Sequence, residues 1–521
     1  MNAKYLATIA AAASLAVIMP ARADVTSDLQ AQVQALQRQL DAVKSQLDQV
    51  TTELKRQKEA EQTKQAEVAK GPYIERKPGE ATTFLVPGGG EVTLYGNFDV
   101  SFDYTTKGLK SDYGENGGMP VGKMGWQPAI STNLSYLGLK GTHPLMPDLS
   151  FIWQLEAGID ISATPGTKQS TSNQSDAVTG ALFSRNSFIG FAGKDWGAVK
   201  IGKNETPYKT STDPLNPFSG MLGDYRVIMG NTGGDNRNEF ALRAAHAIWY
   251  ESPSWSGVSF KAMYAPGQNR DDTSSIVPSG EPDCAGGNIP GSGATPPQCN
   301  DGSFGDLYSV SLEYGSGPLY LATAYERHKN VNRTSDLDNL DPRDVADEDA
   351  FKIGGKYTFP TKTTLNLLWE RTKRHLVSDL EFQDERSRPN ATWVALTQVL
   401  TPQDSVSFGW AHAGKSKGFL GVHNTPDNQT SFDNSANMVT AAWRHAIDKY
   451  TTVYLDYAMT DNRADAHYDL GAGGHGVTTD CHDSTPMAMF DATTGGVTND
   501  GPHCFAGGRL QGVSAGVAFK F

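Results

Sequence analysis

The sequence lacks long apolar runs and an excess of positive charge. Beyond the first two dozen positions it has no stretch of about 18 apolar residues, which excludes transmembrane helices. Lys and Arg number 45 against 58 Asp and Glu, so the net charge is −13 and a nucleic-acid partner is disfavoured. The 9 Trp, 19 Tyr and 21 Phe are spread along almost the whole chain, which argues against disorder. A large soluble protein and a transmembrane β-barrel remain, because alternating strands hide their apolar face from an averaged hydropathy.

Cysteine is also scarce, with four residues in two local pairs: Cys284 with Cys299, and Cys481 with Cys504. In an exported protein, an even count with local spacing predicts two disulfides, each closing one long loop. The alternative is a metal site built from the His and Cys residues between positions 475 and 504, although no tight CxxC pair occurs there. We therefore predict no metal and no cofactor.

The expectation of export comes from residues 1–23, which have the pattern of a signal peptide. Lys4 supplies the positive start, residues 5–18 are apolar and rich in alanine, and Ala21-Arg22-Ala23 offers a cleavage site of mostly small residues. An uncleaved membrane anchor is the alternative, but the apolar stretch is short for a membrane span.

Residues 24–70 contain a heptad pattern. Apolar residues recur at alternating spacings of four and three, at Leu29, Val33, Leu36, Leu40, Val43, Leu47, Val50 and Leu54. A 3.5-residue period produces a narrow seam that another helix must bury, so the pattern predicts a coiled coil that oligomerises or docks on the rest of its own chain. Leu at three of the four a positions and β-branched Val at two of the four d positions favour trimers or higher oligomers. Residues 71–90, rich in Gly and Pro, are predicted to be a linker.

From Glu91 onward the period changes to two, which is typical of β-strands. The first strand alternates polar residues with Val92, Leu94, Phe98, Val100, Phe102 and Tyr104. Seven short turns separate hairpin strands, near residues 144–148, 194–197, 253–257, 315–318, 360–363, 401–404 and 446–449. Eight long polar segments lie between them. This pattern predicts an all-β fold, a sixteen-stranded antiparallel transmembrane barrel over residues 91–521, with both ends on the short-turn side.

Several motifs in this region resemble those of the general bacterial porins. They are Leu94-Tyr95-Gly96, Leu137-Gly138-Leu139-Lys140-Gly141, the stretch 184–190, the stretch 197–203 and the terminal Phe521. The resemblance implies a homotrimer in the outer membrane of a Gram-negative bacterium, with the coiled coil in the periplasm. It also implies that the barrel-assembly machinery reads Phe521 as an assembly signal. The coiled coil is similar to prefixes on some long trimeric porins.

The resemblance further implies a pore constriction made by an inward-folded loop at about 204–242 and by the facing wall. The loop carboxylates are Glu205, Asp213, Asp224, Asp235 and Glu239. The basic candidates on the wall are Arg185, which occupies the family's arginine position, Arg243 and Lys200. Asn97 and Tyr136 stand where many relatives carry Lys or Arg, so the basic ladder is thinner here. Each charge has a plainer alternative as a paired lumen charge or a solvated loop charge.

The expected function is a water-filled channel for passive diffusion of ions and small hydrophilic solutes, surrounded by outer-membrane lipid and lipopolysaccharide. The acidic excess predicts weak cation selectivity, because negative charge at the pore mouths concentrates cations within about 10 Å at 0.1 M salt. One alternative is a channel that prefers small organic acids. Another is a barrel that anchors a periplasmic tether, although the coil from Leu29 to Leu54 would be only about 39 Å long. An enzyme is disfavoured, because no strand places Ser and His on one row.

Overall fold

The structure is a computed structural model that describes most of the strand-forming part of the chain. The described residues are 34–35, 37–53, 55–56, 75–77, 82–106, 126–159, 161, 185–230, 240–266, 304–332, 345–375, 387–415, 433–463, 466, 468, 470–471, 488–491, 496–499 and 508–521. The chain divides into two compact units, Met1–Pro72 and Tyr73–Phe521. The signal-peptide prediction falls outside the described residues.

The first unit contains a helix, α1, over residues 37–53. Its apolar heptad residues Leu40, Val43, Leu47 and Val50 are between 51% and 65% exposed in the single chain. An apolar seam left open in this way is typical of a helix whose packing partner is another chain, so coiled-coil formation stays a prediction. Within the described ranges, none of the helices has both the length and the apolar character needed to span a bilayer.

The second unit is built from strands that pair antiparallel with their neighbours. In chain order they are β1 Glu75–Arg76, β2 Thr83–Val86, β3 Gly90–Thr106, β4 Trp126–Thr132, β5 Tyr136–Met146, β6 Leu149–Gly158, β7 Ser187–Gly193, β8 Gly197–Glu205, β9 Arg243–Glu251, β10 Val258–Ala265, β11 Asp306–Ser316, β12 Leu319–Asn332, β13 Val345–Thr358, β14 Thr363–Arg374, β15 Ser387–Val399, β16 Asp404–Ala413, β17 Ala436–Ala446, β18 Thr451–Asn462, β19 Ala488–Asp491, β20 Gly496–Asn499 and β21 Gly508–Lys520.

Sixteen of these strand positions close into a barrel. β4 and β5 are two halves of one strand, because β3 pairs with β5 along residues 91–97 and with β4 along residues 100–106. The break between the halves contains Leu134, which has a φ of 49°. The ring consists of β3, the combined strand β4–β5, the thirteen strands from β6 to β18, and β21. The pairing of β21 with β3 closes it. The predicted sixteen-stranded antiparallel barrel is therefore confirmed.

The hairpin turns of the barrel match the seven short turns expected from the sequence. The first connects β5 to β6 between Met146 and Leu149, and the last connects β17 to β18 between Ala446 and Thr451. Closure pairs the last strand of the ring with the first, so the backbone groups along this seam find partners in a neighbouring strand.

The linker predicted for residues 71–90 is partly wrong, because it contains two short strands. β2 pairs with the start of β3, from Thr83 opposite Thr93 to Val86 opposite Gly90. The turn between them includes Gly88 at φ 90° and Gly89 at φ 79°, a backbone conformation that glycine adopts without steric cost. The run of Gly residues is therefore a hairpin turn, and the ordered β-structure begins before residue 91.

The barrel has an apolar outer face and a polar inner face. Large apolar side chains are exposed on the outer face; examples are Phe102, Ile130, Leu155, Ile189, Ile201, Ile353, Phe408 and Leu455. The inner face buries polar and charged side chains; examples are Asp103, Glu326, Lys352, Glu370 and Asp456. This arrangement is the inverse of a soluble core, and it suits a barrel surrounded by lipid.

Candidate functional site: the barrel lumen

The segment between β8 and β9, residues 206–242, has described parts that lie against the inner face of the barrel, and we call this segment the inward loop. Its described parts are residues 206–230 and 240–242. They contain a short helix, α2, and two 3-10 turns, over Pro207–Thr210, Asp213–Leu215 and Tyr225–Val227. The side chains and amides of this loop contact inner-face residues of β11 to β17, which are far from β8 around the ring.

The first limb of the inward loop is attached through Tyr208. Its phenol donates a hydrogen bond to Glu370 Oε2 at 2.7 Å, and its amide donates to Ser309 Oγ at 2.9 Å. The Lys352 ammonium lies 4.0 Å from the centroid of the Tyr208 ring and donates to Thr212 Oγ1 at 2.8 Å. Burial and the neighbouring Glu370 carboxylate both raise the pKa of Tyr208, so the phenol remains a donor.

The tip of the loop packs around Trp393 of β15. The Trp393 indole donates from Nε1 to the Leu215 carbonyl at 3.0 Å. Its ring centroid lies 5.8 Å from that of Phe218 and 5.3 Å from that of Tyr225. Gly409 on the next strand leaves room for this contact, because a Cβ there would lie 2.2 Å from the indole. All three aromatic side chains are almost completely buried.

The return limb is attached by two backbone amides. Gly230 N–H donates to Glu370 Oε1 at 2.6 Å, and Ala241 N–H donates to Glu326 Oε1 at 3.2 Å. Glu370 therefore accepts one hydrogen bond from each limb of the loop.

Next to this contact, His328 is enclosed by two aromatic rings and two carboxylates. Its ring centroid lies 4.9 Å from Phe240 and 4.4 Å from Phe304. Its Nδ1 is 2.9 Å from Glu348 Oε1, and its Nε2 is 3.3 Å from Glu326 Oε1. The imidazole thus fixes the Glu326 carboxylate that holds the return limb.

A second group of residues lies on the wall of β3, β5 and β6, and we call it the wall cluster. Arg185 Nε donates to Glu156 Oε1 at 2.7 Å, and the Tyr95 phenol donates to Glu156 Oε2 at 3.0 Å. The Arg185 guanidinium lies 5.0 Å from the Tyr136 ring centroid, and the Lys140 ammonium lies 5.4 Å from that of Tyr95. The two tyrosine rings meet edge to face at 6.1 Å, so two cations flank a pair of aromatic rings.

Glu205 links the end of β8 to two basic side chains. Its Oε1 lies 2.9 Å from Lys209 Nζ and 3.0 Å from Arg243 Nη2. Arg243 Nε also donates to Asn186 Oδ1 at 2.8 Å. The predicted constriction residues Glu205 and Arg243 therefore form an ion pair at the start of the inward loop.

The two described carboxylates within the loop have different roles. The side chain of Asp213 is 43% exposed and pairs with Arg226, whereas Asp224 is 1% exposed. Asp224 accepts hydrogen bonds from Asn216 Nδ2 at 2.8 Å, from the Arg226 amide at 3.0 Å and from the Gly220 amide at 3.3 Å. Desolvation opposes the Arg226 charge, but the carboxylates of Asp213 and Asp224 raise its pKa, so it stays protonated. Asp213 is thus partly exposed and ion-paired, while Asp224 holds the loop together.

A family model described as Gram-negative porin matches residues 78–465. The chain belongs to this family. The chain is 25% identical over 290 residues to an outer membrane porin protein of Bordetella pertussis, a match that covers 54% of this chain and 64% of the relative. It is 25% identical over 213 residues to the major outer membrane protein P.IA of Neisseria meningitidis serogroup C, covering 40% and 46%. The matches span less than two thirds of these relatives.

Among solved structures, the anion-selective porin from Comamonas acidovorans aligns with a TM-score of 0.53 and 17% identity. The alignment covers 83% of this chain and 100% of that porin, which shows a shared fold. The porin family consists of channel proteins rather than enzymes, and the apolar outer face agrees with residence in the outer membrane of a Gram-negative bacterium.

Two predicted site residues of this porin lie apart from the inward loop's ion pairs. Lys200 binds Glu251 at 2.7 Å and lies over the Phe188 ring at 4.8 Å. It precedes Glu205 by five strand residues, about 16 Å along β8, so it stands nearer the short-turn rim. Asn97 donates from Nδ2 to the Leu134 carbonyl at 3.2 Å and thus stabilises the break between β4 and β5.

Phe521 lies at the rim formed by the ends of β3 and β21. Its amide and carbonyl exchange hydrogen bonds with Gly96, both at 3.1 Å. Its ring centroid lies 5.7 Å from Phe98 and 5.5 Å from Phe519. These contacts close the last strand onto the first, and the role of Phe521 in assembly stays a prediction.

Several predicted residues fall outside the described parts of the porin. They are Asp235, Glu239, Cys284, Cys299, Cys481 and Cys504. The two disulfides therefore stay predictions. Among the described residues, no group of three or more His, Cys, Asp or Glu side chains has the geometry to hold a metal ion.

The residues that attach the inward loop to the far wall were not predicted from the sequence. Trp393 had a detectable signal, because it occupies the inner row of β15 between Ala391 and Ala395, where a large aromatic needs a partner inside the barrel. Tyr208 and Thr440 carried no such signal, since their partners are more than 100 residues away.

Proposed function

We propose that this porin forms a water-filled channel through which ions and small hydrophilic solutes diffuse passively across the outer membrane. A sixteen-stranded barrel is wide enough for an aqueous channel unless something inside it restricts the passage. The inward loop supplies that restriction. The observation that carries the proposal is the attachment of one loop from β8 to inner-face residues of β11, β14, β15 and β17.

The charged side chains that keep accessible surface inside the barrel support an aqueous path. Lys140 is exposed, and the side chain of Asp213 keeps 43% of its surface accessible. Ion pairs such as Arg243 with Glu205 sit beside them at the loop's start. Charges are retained in such positions where water or permeating ions solvate them.

Planar bilayer recordings test the proposed channel directly. Purified protein added to a bilayer in KCl should produce stepwise conductance increases that grow with salt concentration. The same detergent buffer without protein serves as the control. A correctly folded barrel that inserts but stays electrically silent would contradict the channel function.

We expect weak cation selectivity that fades as salt rises, because screening removes the contribution of the pore mouths first. Asp213→Asn should lower the cation preference, and Arg185→Gln should raise it by leaving the Glu156 charge unbalanced. Zero-current potentials in a KCl gradient measure both changes. Asp48→Asn, which removes an exposed negative charge from α1 outside the barrel unit, is the matched control. A clear anion preference of the unmodified channel would refute the selectivity proposal.

A preference for small organic acids is the second candidate function, and the wall cluster favours it. Arg185 and Lys140 flank the rings of Tyr95 and Tyr136, so cationic and aromatic surfaces lie side by side. Planar aromatic carboxylates match this combination of charge and ring faces. Benzoate should then reduce the single-channel current more than acetate at equal concentration. Equal effects of the two anions would count against this preference.

The proposed assembly is a homotrimer whose coiled coils associate in the periplasm. The barrel's apolar outer face would contact outer-membrane lipid and lipopolysaccharide, and the barrel-assembly machinery would read Phe521. The open apolar seam of α1 supports association of the coils, since a single exposed heptad helix is marginal in water.

Deletion of residues 24–70 is expected to leave a trimer that dissociates at a lower temperature. The deletion removes the heptad contacts but none of the contacts between barrels. Gel migration of unheated and heated samples in detergent measures the transition. A variant with Asp41→Asn, exposed in the helix, controls for altered charge, because it changes the net charge in the same direction and by the same amount as the deletion. An unchanged dissociation temperature would mean that the coil has another partner.

A further inference from the structure

The described residues that follow β18 also lie against the inner face of the barrel, and the sequence did not predict their contacts. We call these residues, 463, 466, 468, 470 and 471, the last-loop segment. Asn462 Nδ2 donates to the Tyr468 carbonyl at 2.9 Å, and the Tyr468 amide donates to Asn462 Oδ1 at 3.0 Å. The Asn462 side chain thus forms the backbone hydrogen bonds that a neighbouring strand would otherwise provide, and it holds Tyr468 close to the end of β18.

The last-loop segment pairs directly with the tip of the inward loop. Gly223 N–H donates to the Leu470 carbonyl at 2.7 Å, and Leu222 forms an isolated antiparallel bridge with Gly471. The side chains of Leu222 and Leu470 are both 0% exposed, in one cluster with Ala458. Because the two loops share backbone hydrogen bonds and a buried apolar cluster, they pack together as one unit.

The packing around this contact leaves little free space. Gly223 has a φ of 72°, and a Cβ there would lie 2.0 Å from Thr440 Oγ1. A Cβ at Gly512 would lie 3.1 Å from Leu470 and 3.2 Å from Leu222. Glycine at both positions lets the two loops approach the wall closely.

Burial differs between the two sides of the lumen. Inner-face residues of β16 to β18 beneath the two loops are almost fully covered: Ala411, Thr440, Tyr454, Asp456 and Ala458 are each at most 5% exposed. Around the wall cluster, Lys140 is exposed and Tyr95, Tyr136 and Gln154 are partly exposed, whereas Glu156 and Arg185 are 6% and 7% exposed. Accessible surface on this side of the described lumen therefore belongs to Lys140 and the two tyrosines.

We propose that the last-loop segment is a second pore-narrowing element, which closes the β16–β18 side and directs solutes along the wall cluster. The proposal rests on the channel function above. Solute size is then limited jointly by two loops, whose contact at Leu222–Gly471 fixes the width of the passage. An inward loop acting alone would leave the last-loop segment without effect on permeation.

The test compares two double substitutions of the same residue types. Tyr468→Ala with Leu470→Ala removes two buried side chains from the last-loop segment. Tyr457→Ala with Leu455→Ala removes the same two types from the outer face of β18. We expect the first variant to raise single-channel conductance roughly 1.5-fold and to admit larger neutral sugars in liposome swelling, because a side passage opens beside the wall cluster. The second variant should conduct as the unmodified porin does.

The outcomes separate this inference from the channel proposal. A folded first variant with unchanged conductance and sugar cut-off overturns the inference, while a silent unmodified porin overturns the channel function instead. If the double variant does not fold, Leu470→Ala alone is judged by the same two measurements. An equal rise in both double variants would assign the effect to general loosening of the barrel and would also overturn the inference.

Discussion

Trp393→Ala is expected to detach the tip of the inward loop and to raise single-channel conductance about two-fold. Replacement of a buried Trp by Ala costs about 3–5 kcal/mol, because the contacts are lost and a cavity remains. Here the Phe218 and Tyr225 rings would lose their contacts with the indole, and the Leu215 carbonyl would lose its hydrogen-bond donor. The wider passage should also show larger current fluctuations, since the tip would move within the lumen.

Trp410→Ala is the matched control for this experiment. Trp410 lies on β16 opposite Val394, and 40% of its surface is exposed on the outer face. It makes no contact with the inward loop among the described residues, so its removal should lower detergent stability while conductance stays unchanged. Equal conductance of the Trp393→Ala channel and the unmodified channel would show that the tip is held by its other contacts.

Glu370→Ala is expected to loosen both limbs of the inward loop at once. The Tyr208 phenol and the Gly230 amide would each lose a buried acceptor, at a cost of about 1–3 kcal/mol per unsatisfied group. The Lys352 charge would also lose a neighbouring carboxylate. We expect higher conductance and faster cleavage of the loop by protease added to reconstituted channels, because the limbs would separate from β14.

Glu251→Ala provides a control of the same chemistry. Glu251 is an inner-face carboxylate that also accepts two hydrogen bonds, from Lys200 Nζ at 2.7 Å and from Trp249 Nε1 at 2.8 Å. Neither donor belongs to the inward loop. If Glu251→Ala and Glu370→Ala change conductance equally, the effect comes from the lost negative charge and not from loop release.

The position of the inward loop along the chain could be predicted from the sequence, but the contacts of its residues could not. The segment 204–242 was correctly assigned between the fifth and sixth barrel strands, because period-two alternation and short turns count the strands. Asp213 and Asp224, however, are equivalent by composition and position. Only the folded loop shows that Asp224 is buried with three donors, whereas Asp213 is partly exposed and pairs with Arg226.

The segment before the barrel is a second case in which the sequence alone could not decide the structure. Three consecutive glycines after Pro87 are typical of a flexible linker. They also suit a hairpin turn, and the choice depends on whether the preceding residues find a strand to pair with. Thr83–Val86 pairs with the start of β3, along the part of its edge that extends beyond the end of β21.

Strand number, strand direction and the division into inner and outer faces were determined by the sequence alone. These features follow from a local rule, since successive side chains of a strand point to opposite faces. The attachment of the inward loop was decided by the tertiary structure. Tyr208 meets Glu370 across 162 residues, and Trp393 meets Leu215 across 178, because ring closure brings strands of distant sequence to face one lumen. No local period encodes which inner-face residues will meet across the lumen. The free width inside the barrel therefore depends on contacts that form only when the barrel closes.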